Sequence, residues 1–151
     1  MKSEIQISGD RIRMTRVFEA PRPRVFQWWS EADKLRQWSG CKGARNCEVE
    51  MDFRVGGAFT QKMEIEGAGT FSFSGRYLEI VEPELIAYTA QLGPVETRVR
   101  VEFIEQGQAT KVVLTHEGLT GEFLCKTVSH GTSESFDKLD AVLAGHAVEV
   151  I

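Results

Sequence analysis

The chain has 151 residues, of which 42% are hydrophobic and 26% are charged, and this is enough to bury one core without disulfides or metal ions. No run of apolar residues exceeds four, which predicts neither a transmembrane helix nor a secretory signal. We therefore expect a single cytoplasmic domain over residues 1–151, with no membrane partner. The net charge of −4 argues against nucleic acid as a partner, because phosphate binding requires a basic face. A homodimer is left open.

Alternation of apolar and polar residues is the strongest signal along the chain. It is typical of half-buried antiparallel strands and is clearest in 97–105, where Val99, Val101 and Phe103 share one face. In 70–81 the apolar phase slips near Gly75, which predicts a bulge there. About seven strands are expected, at 12–19, 47–53, 58–66, 70–81, 84–91, 97–105 and 110–116.

Helical patterns occur in two places. Pro21 to Trp38 predicts two short helices with a break near Ser30. Residues 121–144 predict a long C-terminal helix because their apolar residues recur near a 3.6 period. Within this helix, residues 129–133 read Ser-His-Gly-Thr-Ser and predict a kink or a late start.

This order of elements predicts an α+β fold in which a curved antiparallel sheet of about seven strands wraps around the long C-terminal helix. The two short helices follow the first strand. One helix cannot cover the whole apolar face of such a sheet, so we expect a cavity between the sheet and the helix. Cavities of this kind are common small-molecule sites.

Several motifs resemble a known family. Thr15 to Pro21 with Val25, Phe26 and Trp28 resembles the start of helix-grip domains related to the activator of a heat-shock chaperone ATPase. The match continues through Trp38, the 52–57 stretch Asp-Phe-Arg-Val-Gly-Gly with Phe59, the 75–77 stretch Gly-Arg-Tyr and the 114–118 stretch Leu-Thr-His-Glu-Gly, and it spans most of residues 12–144.

The resemblance implies the START-like, SRPBCC helix-grip fold, with a hydrophobic pocket between the sheet and the long helix. Family members often carry a tryptophan after the glycine that opens the last helix, whereas Gly131 is followed here by Thr132. A smaller side chain at this position is expected to enlarge the pocket mouth or change its polarity. The co-chaperone role belongs to a two-domain protein and is not carried over to this chain.

Two polar residues fall on apolar strand faces. His116 shares a face with Val112 and Leu114, and it is interpreted either as a ligand contact or general base, or as a core-edge histidine bonded to a backbone carbonyl or a carboxylate. Gln61 shares a face with Phe59 and Met63. Its amide is predicted to meet a ligand or trapped water, unless this edge of the face is wet.

Other chemical motifs are weak. Cys125 and His130 are five residues apart and are expected on different sides of a helix, so Cys125 is interpreted as a core thiol. No spacing of histidine, cysteine and acidic residues resembles a zinc pattern, so we expect no metal and no cofactor. Arg54 is expected to tie its hairpin through a salt bridge or carbonyl contacts, with anion binding as the alternative.

The sequence predicts a domain that binds a small apolar or amphipathic molecule in the sheet–helix cavity. One alternative is a cyclase- or hydrolase-like enzyme that uses His116 as acid or base. The other is a chaperone-type protein-interaction module. No catalytic residue is assigned. The predicted ligand-binding residues are Trp38, Phe59, Gln61, Met63, Phe73, Tyr88, His116, Thr132 and Phe136.

Overall fold

The computed structural model describes residues 3–145, apart from the side chain of Cys47. Within that range the chain forms eight strands and three α-helices. The strands are β1 (Glu4–Ser8), β2 (Arg11–Phe18), β3 (Ala44–Met51), β4 (Ala58–Ile65), β5 (Gly69–Val81), β6 (Leu85–Leu92), β7 (Val95–Gln106) and β8 (Ala109–Glu117). The helices are α1 (Arg22–Ser30), α2 (Ala32–Trp38) and α3 (Glu122–Leu143).

All eight strands form one antiparallel sheet in the order β1-β2-β8-β7-β6-β5-β4-β3. Consecutive strands from β3 to β8 are neighbours, and the last strand, β8, pairs with β2. The sheet is curved and unclosed, and α3 lies against it with contacts to β2 and α2. The predicted α+β helix-grip fold is confirmed.

The strand count differs from the prediction of about seven because β1 adds an edge strand. All five residues of Glu4–Ser8 are exposed, including Ile5 and Ile7. An edge strand that buries no face carries little of the apolar–polar contrast by which the other strands were recognised. The two short helices consequently follow the second strand rather than the first.

The break between the two short helices is confirmed. Glu31 has extended backbone angles and separates α1 from α2. Pro23 lies in the first turn of α1, where its missing N–H leaves no helical hydrogen bond unmade. Phe26 and Trp29 of α1 are buried in the core.

The bulge in β5 lies a little later than predicted. The register with β6 shifts between Tyr77 and Glu79. Leu78 is exposed, whereas Tyr77 and Ile80 turn toward the core. The apolar phase therefore slips after Tyr77 and not at Gly75.

Helix α3 is continuous from Glu122 to Leu143, so the predicted late start is wrong. Ser129, in the stretch that argues against a helix, is accommodated by the helix itself, because its Oγ donates to the carbonyl of Lys126. Burial of Phe136 and Leu139 against the sheet outweighs the weak local preference.

We expect hydrogen exchange to find β7, β8 and residues 133–143 of α3 among the slowest amides, opening as one cooperative unit. Strands β7 and β8 lie inside the sheet, and the helix buries its apolar stripe on it. Amide exchange followed by NMR or mass spectrometry measures this. Fast exchange throughout 133–143 would contradict the packing of α3 on the sheet.

Candidate functional site

A cavity of about 540 Å³ lies between the inner face of the sheet, the end of α2 and helix α3. All nine residues predicted from the sequence contribute to its wall. Those residues are Trp38, Phe59, Gln61, Met63, Phe73, Tyr88, His116, Thr132 and Phe136. The others along the wall are Trp29, Leu35, Ser39, Gly40, Cys41, Ile65, Tyr77, Ile86, Ala90, Leu92, Gly93, Val99, Leu114, Leu124, Thr127, Val128, Gly131 and Ser135.

The floor of the cavity is a row of side chains across adjacent strands. Tyr77 pairs with Tyr88, Tyr88 with Val99, and Val99 with His116. Directly paired residues on neighbouring antiparallel strands point to the same face. The row therefore presents two phenol groups and one imidazole to the same space.

His116 lies on this floor and is only 6% exposed. Its Nε2 atom is 2.7 Å from Oγ1 of Thr97 on the neighbouring strand. The sequence-based interpretation of a histidine bonded to a backbone carbonyl or a carboxylate is therefore wrong in its partner, because His116 is bonded to the hydroxyl of Thr97. Burial lowers the pKa of His116 to about 4, since the charged imidazolium loses its hydration.

Gln61 is held in a network of protein groups. Its Nε2 atom donates to Ser39 Oγ and to Asn46 Oδ1, each at 2.8 Å. Asn46 in turn donates to the carbonyls of Arg36 and Ser39. The side-chain N–H groups of Gln61 are thus paired without a ligand. Because Gln61 is 8% exposed, the interpretation of a wet edge is wrong.

Trp38 forms part of the aromatic wall next to α3. Its indole N–H donates to the carbonyl of Trp28 at 2.8 Å, and its ring lies 4.6 Å from that of Trp29. It is 4% exposed and also contacts Phe136. Trp38 is therefore a core residue with one face on the cavity.

Phe59 depends on a glycine in the next strand. It pairs with Gly75 across β4 and β5, and a Cβ atom at Gly75 would lie 2.6 Å from the Phe59 ring and 1.9 Å from the carbonyl oxygen of Thr89. The glycine lets the ring lie close to the backbone. Phe59 then contacts Tyr77 and Tyr88 along the wall.

The loop after α2 is tied to α3 at one side of the cavity. Ser135 Oγ donates to the carbonyl of Gly40 at 2.7 Å, and Lys138 Nζ donates to that of Cys41 at 3.2 Å. Glu134 accepts from the backbone N–H of Lys42. These three bonds from successive turns hold the loop against the helix.

Sequence reasoning missed the partners that hold the polar side chains. Thr97 lies on the same strand face as Val99 and Val101, so its inward direction was readable from the alternation. Asn46 precedes a register shift in β3, which breaks the alternation there. Ser135 was not recognised because it lies among polar residues of α3.

As expected from their spacing, no hydrogen bond joins Cys125 and His130 in the described part of the chain. Cys125 is buried with its thiol near the carbonyl of Leu119, while the His130 side chain is 78% exposed near Glu134. The core-thiol interpretation is confirmed.

Among residues 3–145 no three histidine, cysteine or acidic side chains are grouped so as to hold a metal ion. No helix in that range is long and apolar enough to cross a membrane.

The comparisons agree with the motifs found in the sequence. A family model described as "Activator of Hsp90 ATPase homolog 1-like protein" matches residues 19–144. This chain belongs to that family. No curated protein matches it.

Solved structures of the same fold come from several bacteria. Protein CV1439 from Chromobacterium violaceum is 27% identical, with a TM-score of 0.82 over 88% of this chain and 96% of the other. The AHSA1 protein SPO3351 from Silicibacter pomeroyi is 24% identical, with a TM-score of 0.80 over 89% and 97%. A protein from Arthrobacter aurescens is 18% identical, with a TM-score of 0.84 over 97% and 95%.

In this member of the Activator of Hsp90 ATPase homolog 1-like family, the Arg-x-Gly-Gly hairpin is structural. Arg54 Nε donates to Asp52 Oδ2 at 2.8 Å, as the predicted salt bridge requires. Gly56 has a φ of +85°, which favours glycine. The glycine before Thr132 lies in the middle of α3 and does not open it, and Thr132 contributes to the cavity wall.

Proposed function

We propose that this chain binds an uncharged, largely apolar small molecule in the cavity between the sheet and α3. One observation carries the proposal. No aspartate, glutamate, lysine or arginine is among the described residues that form the wall of about 540 Å³. This volume is within the range of about 300–1,000 Å³ that is usual for small-molecule sites.

The electrostatics of the wall restrict the ligand. His116, with a pKa of about 4, is neutral at neutral pH, so it offers no charge to a bound anion. Burial also raises the pKa of Tyr77 and Tyr88, which keeps both phenols neutral. A charged ligand would lose its hydration without gaining a counter-ion, which costs several kcal/mol or more on an order-of-magnitude scale. An uncharged ligand avoids this cost.

The same geometry supports binding more than acid–base catalysis. A histidine with a pKa of about 4 is not an imidazolium at neutral pH, so it cannot act as a general acid there, and it is a weak base. Its Nε2 atom is engaged by Thr97, and no carboxylate is bonded to the ring among the described residues. His116 is therefore better suited to a ligand hydrogen bond than to proton transfer.

The matched probes N-phenylnaphthylamine and anilinonaphthalenesulfonate test the proposal, because they share one apolar frame and differ by a sulfonate. We expect the neutral amine to bind the native protein at one site with enhanced fluorescence. The sulfonate is expected to bind at least about tenfold more weakly, since a dehydration cost of even about 1.4 kcal/mol that no new contact offsets has that effect. Fluorescence titration measures both affinities. Equal affinity for the two probes would contradict an uncharged site, and binding of neither to folded protein would contradict the cavity as a site.

Two tryptophans provide the control variants. Trp38→Ala is expected to change the affinity for N-phenylnaphthylamine, because this ring forms part of the cavity wall. Trp28→Ala removes a ring that contacts Lys34 and does not line the cavity. A larger change in Trp28→Ala than in Trp38→Ala would place the probe elsewhere. Native mass spectrometry of freshly purified protein would then identify any small molecule that copurifies.

A further inference from the structure

The hydrogen bonds around His116 determine which ring nitrogen carries the proton. Thr97 Oγ1 lies 2.7 Å from the carbonyl oxygen of Ala90 and 2.7 Å from His116 Nε2. A hydroxyl has one hydrogen to donate, and a carbonyl can only accept, so this hydrogen goes to Ala90. Oγ1 must then accept from His116, whose Nε2 carries the proton. In the neutral ring, Nδ1 is left with a lone pair.

That lone pair is available to the cavity. Nδ1 has no hydrogen-bond partner among the described residues, and it is not one of their fully enclosed unpaired atoms. Because His116 forms part of the cavity wall, a molecule in the cavity can reach Nδ1. A neutral imidazole can present either a donor or an acceptor to the cavity. The hydrogen bond from Thr97 to the backbone carbonyl of Ala90 fixes the tautomer of His116 in which the cavity meets an acceptor.

A second side chain is oriented in the same way. Asn46 Nδ2 donates to two backbone carbonyls, of Arg36 and Ser39, at 2.9 Å each, so its Oδ1 faces Gln61 as an acceptor. Gln61 must present its Nε2 to that oxygen, at 2.8 Å. Its Oε1 is left without a partner among the described residues and without full enclosure. This oxygen is a second acceptor on the wall.

We infer that the cavity selects a molecule that carries hydroxyl or N–H groups, which donate to His116 Nδ1 and Gln61 Oε1, over one whose polar atoms only accept. This inference rests on the proposed binding function and names the chemical class of its ligand. The two acceptors belong to β8 and β4, at different positions along the curved sheet, so two donors of the ligand must be separated by an apolar frame. Tyr77 and Tyr88 lie between them and can donate or accept, so they do not discriminate.

A pair of probes of equal shape tests the donor preference. Para-hydroxybiphenyl carries a hydroxyl donor where para-methylbiphenyl carries a methyl group. Their relative affinity is measured in wild type, His116→Phe and Gln61→Leu by calorimetry or by displacement of N-phenylnaphthylamine. The dehydration of the hydroxyl is common to all these proteins, so the change in relative affinity isolates the protein–hydroxyl contact.

We expect the preference for the hydroxyl probe to fall about three- to tenfold in at least one of the two variants, as loss of one neutral hydrogen bond requires. His130→Phe is the matched control, because His130 is largely exposed and does not line the cavity. Its preference is expected to equal that of wild type. An unchanged preference in both His116→Phe and Gln61→Leu overturns the inference and leaves the proposed function standing. Binding of neither biphenyl to the wild type overturns both.

The tautomer of His116 can be measured without a ligand. Nitrogen-15 NMR of the wild-type imidazole is expected to show the proton on Nε2 and a bare Nδ1 at neutral pH. Thr97→Val removes the hydroxyl that holds this tautomer and is expected to shift the proton toward Nδ1. A proton on Nδ1 in the wild type overturns the inference, whatever the probes do.

Discussion

Replacing Asp137 and Asp140 together by alanine is expected to lower the free energy of unfolding by about 3–5 kcal/mol, as removal of the partners of a buried charge does. Both carboxylates accept hydrogen bonds from the guanidinium of Arg16: Nη2 is 2.7 Å from Asp137 Oδ1, and Nη1 is 2.8 Å from Asp140 Oδ2. The Arg16 side chain is 1% exposed, and the hydroxyl of Ser3 is its one other hydrogen-bond acceptor among the described residues. The double variant would leave this charge buried and nearly unpaired. Urea denaturation measures the loss.

Arg16→Met is the matched control and is expected to cost less than about 1 kcal/mol, because a methionine fills the same space and carries no charge. The carboxylates it leaves behind are already accessible to water, Asp137 at 67% and Asp140 at 31%. The two variants are expected to lose different amounts of stability because Arg16 is buried whereas the aspartates are accessible to water. Equal losses in the double aspartate variant and in Arg16→Met would contradict this account of how α3 is anchored to β2.

The second large effect is a pH dependence that His116 confers on stability. Its pKa is about 4 in the folded protein and 6.5 when exposed, so between these values the unfolded chain binds a proton that the folded chain does not. Stability is therefore expected to fall as the pH drops from about 6.5 to about 4, and to recover as it rises. The full change is on the order of 3 kcal/mol, at 1.36 kcal/mol for each unit of pKa difference.

His116→Gln is expected to remove this part of the pH dependence. Glutamine does not titrate, and its amide can donate to Thr97 as the imidazole does. His130→Gln is the control, because it removes an exposed histidine and leaves His116 and its bond to Thr97 in place. Urea denaturation at a series of pH values compares the three proteins. A His116→Gln protein that loses stability toward pH 4 as steeply as the wild type would contradict the burial of a neutral imidazole.

The strands were predictable because each buries one face against water. In β7, Val99, Val101 and Phe103 alternate with charged residues, and the structure places all three in the core. The same local contrast located the short helices and their break. It failed for β1, whose residues are all exposed, and for the middle of α3. In α3, contacts with the sheet outweigh the weak helix preference of residues 129–133.

The wall of the cavity was predictable to the same extent, and for the same reason. Phe59, Gln61 and Met63 share a strand face, so their common direction follows from the alternation, and the structure brings them to one cavity with His116. The hydrogen-bond partners of His116 and Gln61 could not be predicted from this alternation. Thr97, Ser39 and Asn46 bond to His116 and Gln61 across separate elements, and no local pattern encodes such a pairing.

The sequence by itself determined the helix-grip fold, most element positions and the apolar character of the cavity, because burial of one face imposes a local period of 2 or 3.6 on the chain. Only the tertiary structure decided that a buried arginine, Arg16, anchors α3 through two aspartates more than 120 residues away in the chain. It alone decided that His116 and Gln61 present acceptors to the cavity. The reason is physical: the direction of a hydrogen bond depends on what each neighbouring atom has already donated, and those neighbours meet only in the folded chain.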